Sequence, residues 1–117
     1  MAKVIMIVDD EQDIRDSIKL ILEKNGYRVI TAINSDDCLN KLKAEKPDLI
    51  LIDIMMPGTP VKDIVPKLKD VKVVYLSVVR VSEAEKEELL KSPNIVGFIQ
   101  KPFDINTLVK KVKEYVG

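Results

Sequence analysis

The sequence has no histidine and one cysteine, Cys38, among its 117 residues. Without histidine, the usual zinc ligand sets and imidazole acid–base catalysis are excluded, and one cysteine cannot close an internal disulfide. A chain without a disulfide fits a reducing cytosol. Excess charge of either sign is also missing: 19 Lys plus Arg balance 19 Asp plus Glu, and the isoelectric point is about 6.3. No global field draws such a chain onto nucleic acid, so partner contacts must be local. No apolar stretch approaches the roughly 20 residues that cross a bilayer. The opening Met-Ala-Lys-Val enters a strand-length apolar run without a small-residue cleavage site, so it does not read as a signal peptide. These absences predict a soluble, cytoplasmic protein with neither membrane insertion nor direct nucleic-acid binding. Repeats, low-complexity tracts and linkers are absent as well, and residues 1–117 read as one domain.

What is present is an alternation. Five short runs rich in Val and Ile predict strands over Lys3 to Val8, Arg28 to Ile33, Leu49 to Asp53, Lys72 to Ser77 and Ile95 to Gln100. Helix-period segments separate them. Ile14, Ile18, Ile21 and Leu22 form the apolar face of a first helix, which Asn25-Gly26 stops. Cys38, Leu39 and Leu42 form a second face, with Ser35 or Asp36 as the expected N-cap, and Cys38 reads as a small core residue. Pro57, Pro60 and Pro66 predict a third helix that is short or kinked, between about Val61 and Lys69. A capping box at Ser82-Glu83-Ala84-Glu85 opens a fourth, which ends near Ser92-Pro93. A fifth is expected from Asp104 to Val116, with Ile105, Leu108, Val109, Val112 and Val116 on its apolar side. Strand and helix alternating five times, with nearly continuous apolar strands, predict an α/β fold: a five-stranded parallel sheet with helices on both faces.

Open α/β sheets bind ligands at the carboxyl ends of their strands. The first run leads into Asp9-Asp10-Glu11, the third ends at Asp53, the fourth at Ser77, and the fifth is followed by Lys101. Singly, each has an ordinary explanation as a helix cap, a turn residue or a solvated lysine. Together, at one sheet edge, they supply what phosphoryl transfer needs. Clustered carboxylates call for a hard cation, and an oxygen-only, incomplete shell suits Mg²⁺. A carboxylate nucleophile, a hydroxyl donor and an ammonium complete the set.

The constellation resembles the receiver domain of two-component response regulators, the family that includes the single-domain chemotaxis regulators. The resemblance rests on Val8-Asp9-Asp10-Glu11, Asp53-Ile54-Met55-Met56-Pro57-Gly58, Leu76-Ser77 and Lys101-Pro102-Phe103, in that order, and covers essentially the whole chain. It implies a flavodoxin-like (βα)5 fold with strand order 2-1-3-4-5. It makes Asp53 the phosphoacceptor and a metal ligand, Asp10 a direct Mg²⁺ ligand, and Asp9 a ligand largely through water, with the main-chain carbonyl of Met55 completing the set. Ser77 would hydrogen-bond the phosphoryl group, Lys101 would pair with it, and the Lys101-Pro102 bond would be cis. Phe98, three residues before Lys101, falls at the aromatic switch position. A sensor histidine kinase or phosphotransfer protein is the implied donor. An unidentified protein target would read the surface of the fourth helix, fifth strand and fifth helix. Such a protein catalyses only its own phosphorylation and dephosphorylation, whether it stands alone or is cut from a larger regulator.

The sequence departs from the family at several points. Val78 follows Ser77 where a small residue is usual, and Met55 and Val79, two beyond Asp53 and Ser77, are both apolar. Gly58-Thr59-Pro60-Val61 lacks the common aspartate-glycine pair, and the span from Asp53 to Ser77 is shorter than usual. Three other readings compete. A constitutive interaction module with the same fold would not require the intact Asp9, Asp10, Asp53, Ser77 and Lys101. A phosphatase of the haloacid-dehalogenase type places a second aspartate where Met55 stands. A flavodoxin-like electron carrier needs a hydroxyl-rich phosphate loop after the first strand, and Asp9-Asp10-Glu11 would repel a flavin phosphate.

Overall fold

The computed structural model describes residues 2–54, 61–68, 70–77, 87, 91, 93–101 and 103–116. Five strands, β1 (Val4–Val8), β2 (Arg28–Ala32), β3 (Leu49–Asp53), β4 (Lys72–Ser77) and β5 (Ile95–Gln100), form one sheet. All pairs are parallel, in the order β2-β1-β3-β4-β5. This is the expected topology, and it puts the ends of β1 and β3 side by side at the point where the strand order reverses.

Alternation along the strands sorts their side chains onto two faces. Ile5 and Ile7, Leu49 and Leu51, and Val74 and Leu76 pack with Ile18 and Leu22 of α1 (Gln12–Lys24) and with Leu108 and Val112 of α4 (Ile105–Val116). Met6 and Val8, Ile50 and Ile52, and Val73 and Tyr75 pack with Cys38 of α2 (Ser35–Leu42) and Ile64 of α3 (Val61–Ile64). Helices therefore cover both faces, which is why β3 is apolar at every position before Asp53. Here α4 is the fifth helix expected from the sequence. Of the expected helix from Ser82, Glu87 is described and is helical; the rest of 82–90, capping box included, lies outside the described residues.

The helix ends follow local chemistry, with some corrections. Gly26, at φ +91°, closes α1: its N–H bonds the Glu23 carbonyl while that of Tyr27 bonds the Leu22 carbonyl. Such a reversal needs the left-handed conformation that glycine adopts without a Cβ penalty. The N-cap of α2 is Asn34, not Ser35 or Asp36. Its Oδ1 accepts from the Asp37 N–H at 2.8 Å, and Asp37 Oδ2 accepts from the Ile33 N–H at 3.0 Å. That pairing takes Ile33 out of the strand, so β2 stops at Ala32 and Ile33 is exposed. The strand β1 starts at Val4, one residue later than expected.

The third helix is as short as its prolines predict. One α-helical turn tightens into a 3₁₀ segment, Val65–Leu68, at Pro66, which has no N–H to give. The buried Asn94 amide donates to the Leu68 carbonyl at 3.0 Å and the Val65 carbonyl at 3.4 Å, holding the trimmed segment against the start of β5. Asp104 caps α4 through the Thr107 N–H at 2.7 Å. Ile105, expected on the apolar side of that helix, is instead 58% exposed, because as the first helical residue it precedes the turns that lie over the sheet. Tyr115 packs against the core from the last turn.

Candidate functional site

The carboxyl edge of the sheet brings Asp9, Asp10, Asp53 and Lys101 together. Asp9 and Asp10 follow β1, Asp53 ends β3, and Lys101 follows β5, two strands away. One carboxylate oxygen from each of the three aspartates lies within 4.8 Å of the others. Lys101 Nζ reaches back across β4 and donates to Asp9 Oδ2 at 2.6 Å and Asp53 Oδ2 at 3.1 Å. Asp9, Asp53 and Lys101 are buried, whereas Asp10 is exposed.

Among the described residues, three carboxylates against one ammonium leave a formal charge of −2 at this point. In a buried setting like charges a few ångströms apart repel strongly, so the cluster favours a divalent cation. The oxygen-only donor set and its spacing fit a hard ion that keeps part of its water shell, which is the habit of Mg²⁺. Burial works against the charge on Lys101, but the hydrogen bonds and the charges of Asp9 and Asp53 outweigh it, and its pKa is raised above the ordinary lysine value. The ammonium stays charged and can neutralise an anion brought to Asp53.

Asp9 is tied at every polar atom. Its N–H donates to the Ala32 carbonyl at 3.2 Å, and its Oδ1 accepts from the Glu11 N–H at 2.9 Å. Its main-chain carbonyl accepts from Arg15 Nη1 at 2.7 Å, and its Oδ2 takes Lys101. With both carboxylate oxygens engaged, Asp9 is built to orient the cluster, and Asp10 is the most accessible of the three. Sequence reasoning missed Arg15, which reads as an ordinary polar residue on the outer side of α1. Spacing four residues beyond Glu11 was the only signal, and it says nothing of a contact with a main-chain carbonyl.

Phe98 lies on β5 beside Tyr75 of β4. The register of β4 and β5 passes from Val73↔Ile95 to Val74↔Gly97, so Val96 is an extra residue, a bulge. The bulge reverses the alternation after it, so Phe98 falls on the same face as Tyr75, with ring centroids 5.4 Å apart and planes at 46°. Tyr75 is buried and Phe98 is half-buried. Ser77 ends β4 opposite Gln100, with its backbone one residue beyond the Asp53↔Leu76 pair. Met55, Val78, Val79 and Pro102, and with Pro102 the expected cis bond, lie outside the described residues.

Residues 5–113 match the response regulator receiver domain family. Among curated relatives, the phosphate regulon transcriptional regulatory protein PhoB of Escherichia coli K12 is 34% identical over 121 aligned residues, 97% of this chain and 51% of the relative. The PhoB of Klebsiella pneumoniae matches equally. The chain thus spans about half the length of the curated relatives it matches. Among solved structures, a CheY-like receiver domain protein from Methanospirillum hungatei superposes with a TM-score of 0.85 at 30% identity, covering 98% of this chain and 94% of that one. The chemotaxis protein CheY4 of Vibrio cholerae gives 0.87 at 26% identity, covering 98% and 99%.

Proposed function

We propose, because this chain belongs to the response regulator receiver domain family, that Asp53 is the phosphoacceptor of a switch working within one domain over residues 1–117. Receiver domains are phosphorylation-dependent signalling modules rather than enzymes acting on a separate substrate, and the acidic cluster such signalling uses is present. One observation carries the assignment to Asp53: its carboxylate, at the end of the central strand, shares the Lys101 ammonium with Asp9 and lies within 4.8 Å of Asp10.

A carboxylate oxygen of Asp53 attacks the phosphorus of a phosphohistidine on a sensor histidine kinase or phosphotransfer protein. The oxygen–phosphorus bond forms as the phosphorus–nitrogen bond breaks, and the leaving imidazole keeps the electron pair. Lys101, already 3.1 Å from Asp53 Oδ2, neutralises a phosphoryl oxygen. Asp10, Asp53, the Met55 main-chain carbonyl and, through water, Asp9 would hold Mg²⁺, which when bound would supply the charge that lets a phosphoryl dianion approach carboxylates. Asp9 keeps the cluster oriented through its own hydrogen bonds.

The readout is a two-state equilibrium biased by the new dianion. The Ser77 hydroxyl bonds the phosphoryl group, the loop after β4 moves, and Phe98 turns inward. The surface formed by the Ser82 helix, β5 and α4 then changes for an as yet unidentified protein target. Among the described residues no helix is long and apolar enough to cross a membrane, and we place the protein in the cytoplasm with its kinase.

Intact-mass measurement after incubation with acetyl phosphate tests the reading. The parent should gain one phosphoryl group with Mg²⁺ and none with EDTA, and Asp53→Asn should gain none. A constitutive module would take no label under any condition. Label persisting in Asp53→Asn would move the acceptor elsewhere.

A further inference from the structure

We infer that Arg15 is a positioning residue for the cation site: by holding the Asp9 carbonyl, it sets the peptide that carries Asp10. This rests on the reading of Asp9, Asp10 and Asp53 as the cation site.

The turn from β1 into α1 is closed by three bonds. Glu11 N–H donates to Asp9 Oδ1 at 2.9 Å, Arg15 N–H to the Glu11 carbonyl at 3.1 Å, and Arg15 Nη1 to the Asp9 carbonyl at 2.7 Å. The first two are the ordinary furniture of an Asx turn and a first helical turn. The third is different, because it comes from the far end of a long side chain and lands on the carbonyl that precedes Asp10.

A peptide unit is planar, so fixing the Asp9 oxygen fixes the Asp10 nitrogen on the other side of the same plane. The same plane carries the Asp10 Cα, so the point from which its side chain departs is set, and the Glu11 N–H bond to Asp9 Oδ1 restrains the rotation that remains. Asp10 needs such help. Asp9 has both carboxylate oxygens engaged and Asp53 is buried in the sheet edge, whereas Asp10 is exposed. Half-buried Arg15 holds the backbone beside this exposed residue.

The sign of the mutational effect separates this role from an electrostatic one. A positive charge near a cation site weakens cation binding, so if charge were all that Arg15 contributed, its removal would tighten binding. If Arg15 positions Asp10, its removal loosens binding, as loss of a partner that orients a metal ligand typically does, by about tenfold or more.

The test is a Mg²⁺ titration of the full chain, followed by the amide shifts of Asp10 and its neighbours. It compares the parent with Arg15→Met, which keeps the aliphatic stem, and with Arg15→Lys, which keeps charge and one donor group. The expected result is about a tenfold weaker Mg²⁺ affinity for Arg15→Met, an intermediate value for Arg15→Lys, and unchanged shifts in β3 and β4 without metal. Uptake from acetyl phosphate should fall at limiting Mg²⁺ and recover at saturating Mg²⁺. Affinity equal to or tighter than the parent's in Arg15→Met would overturn the inference, as would parental affinity in Arg15→Lys should the first variant not fold. A parent that binds no Mg²⁺ would instead overturn the site itself.

Discussion

The ring of Tyr115, in the last turn of α4, occupies the space that a side chain on Gly97 of β5 would need: a Cβ built there would stand 2.9 Å from Tyr115 Cζ and closer still to the hydroxyl. Lys72 Nζ, at the start of β4, donates to the Tyr115 carbonyl at 2.8 Å, so the end of α4 is held from two strands. Gly97 also sits just past the bulge, and its missing side chain lets the helix close on the strand that carries Phe98.

Gly97→Ala should therefore destabilise the domain by about 1–3 kcal/mol, the usual cost of forcing atoms into a filled site. Tyr115→Ala in that background should recover part of the loss. Tyr115→Phe, which removes the nearest atom but leaves Cζ at 2.9 Å, should recover less than Tyr115→Ala. Urea unfolding of the three variants measures this, and a Gly97→Ala protein as stable as the parent would show that the ring moves aside freely.

Lys101 bonds two buried carboxylates, and its loss removes that ammonium from both. Lys101→Met should cost about 3–5 kcal/mol, the range for breaking a buried ion pair from one side. Mg²⁺ should return part of that stability by binding the native state alone. Urea midpoints with and without Mg²⁺ give both numbers. A Lys101→Met protein with the parental midpoint and no response to Mg²⁺ would mean that the cluster carries little net charge.

Alkaline pH should weaken the fold through two groups on the α2–α3 face. Burial, with a smaller contribution from Asp37, pushes the Cys38 thiol from 9.0 up to about 12, and burial pushes the Tyr75 phenol from 10.0 up to about 12. The native state thus keeps protons that the unfolded chain releases, so stability falls as pH rises from about 9 towards 12. Cys38→Ala should flatten the decline most between pH 9 and 10, where the thiol, with the lowest unfolded-state value of these groups, contributes most. Denaturant midpoints across that range decide it; an unchanged slope in Cys38→Ala would mean that the thiol ionises in the folded protein.

The acyl phosphate should be long-lived. Its hydrolysis needs a water placed in line with the phosphorus, and none of the side chains of Met55, Val78 and Val79 can hydrogen-bond one. Val78, branched where the family usually has a small residue, should also slow uptake from small donors. Val79→Glu or Met55→Asn should speed the decay of phosphorylated protein after donor removal, and Val78→Ala should speed uptake. Fast decay in the parent with no gain in either polar variant would point to the backbone or Glu11 as the group that orients the water.

Much of this architecture was legible in one dimension. The bounds of β3, β4 and β5 match their apolar runs residue for residue, because each run stops at a polar residue the sheet interior cannot hold. The burial of Cys38 and the shortened third helix followed equally from residue type, through period and through the missing N–H of Pro66. Asp9, Asp10, Asp53 and Lys101 could be grouped because parallel strands deliver their last residues to one edge, whatever the loops between them do.

What the sequence left open depends on relations between distant segments. Asn34, Ser35 and Asp36 are all good caps, and the choice of Asn34 was made by where β2 leaves its neighbour. Ile105 has the period of a core residue, but as the first residue of α4 it lies ahead of the turns that cover the sheet and stays in solvent. Phe98 faces Tyr75 because Val96 bulges against β4, a one-residue shift that no pattern within β5 records. Arg15 reaches the Asp9 carbonyl because α1 turns back over the end of β1. Residue type and period act within a few positions along the chain, so the sequence determined the elements and the polar groups at their ends. Register, helix placement and side-chain reach are properties of pairs of elements, and only the packed structure could decide them.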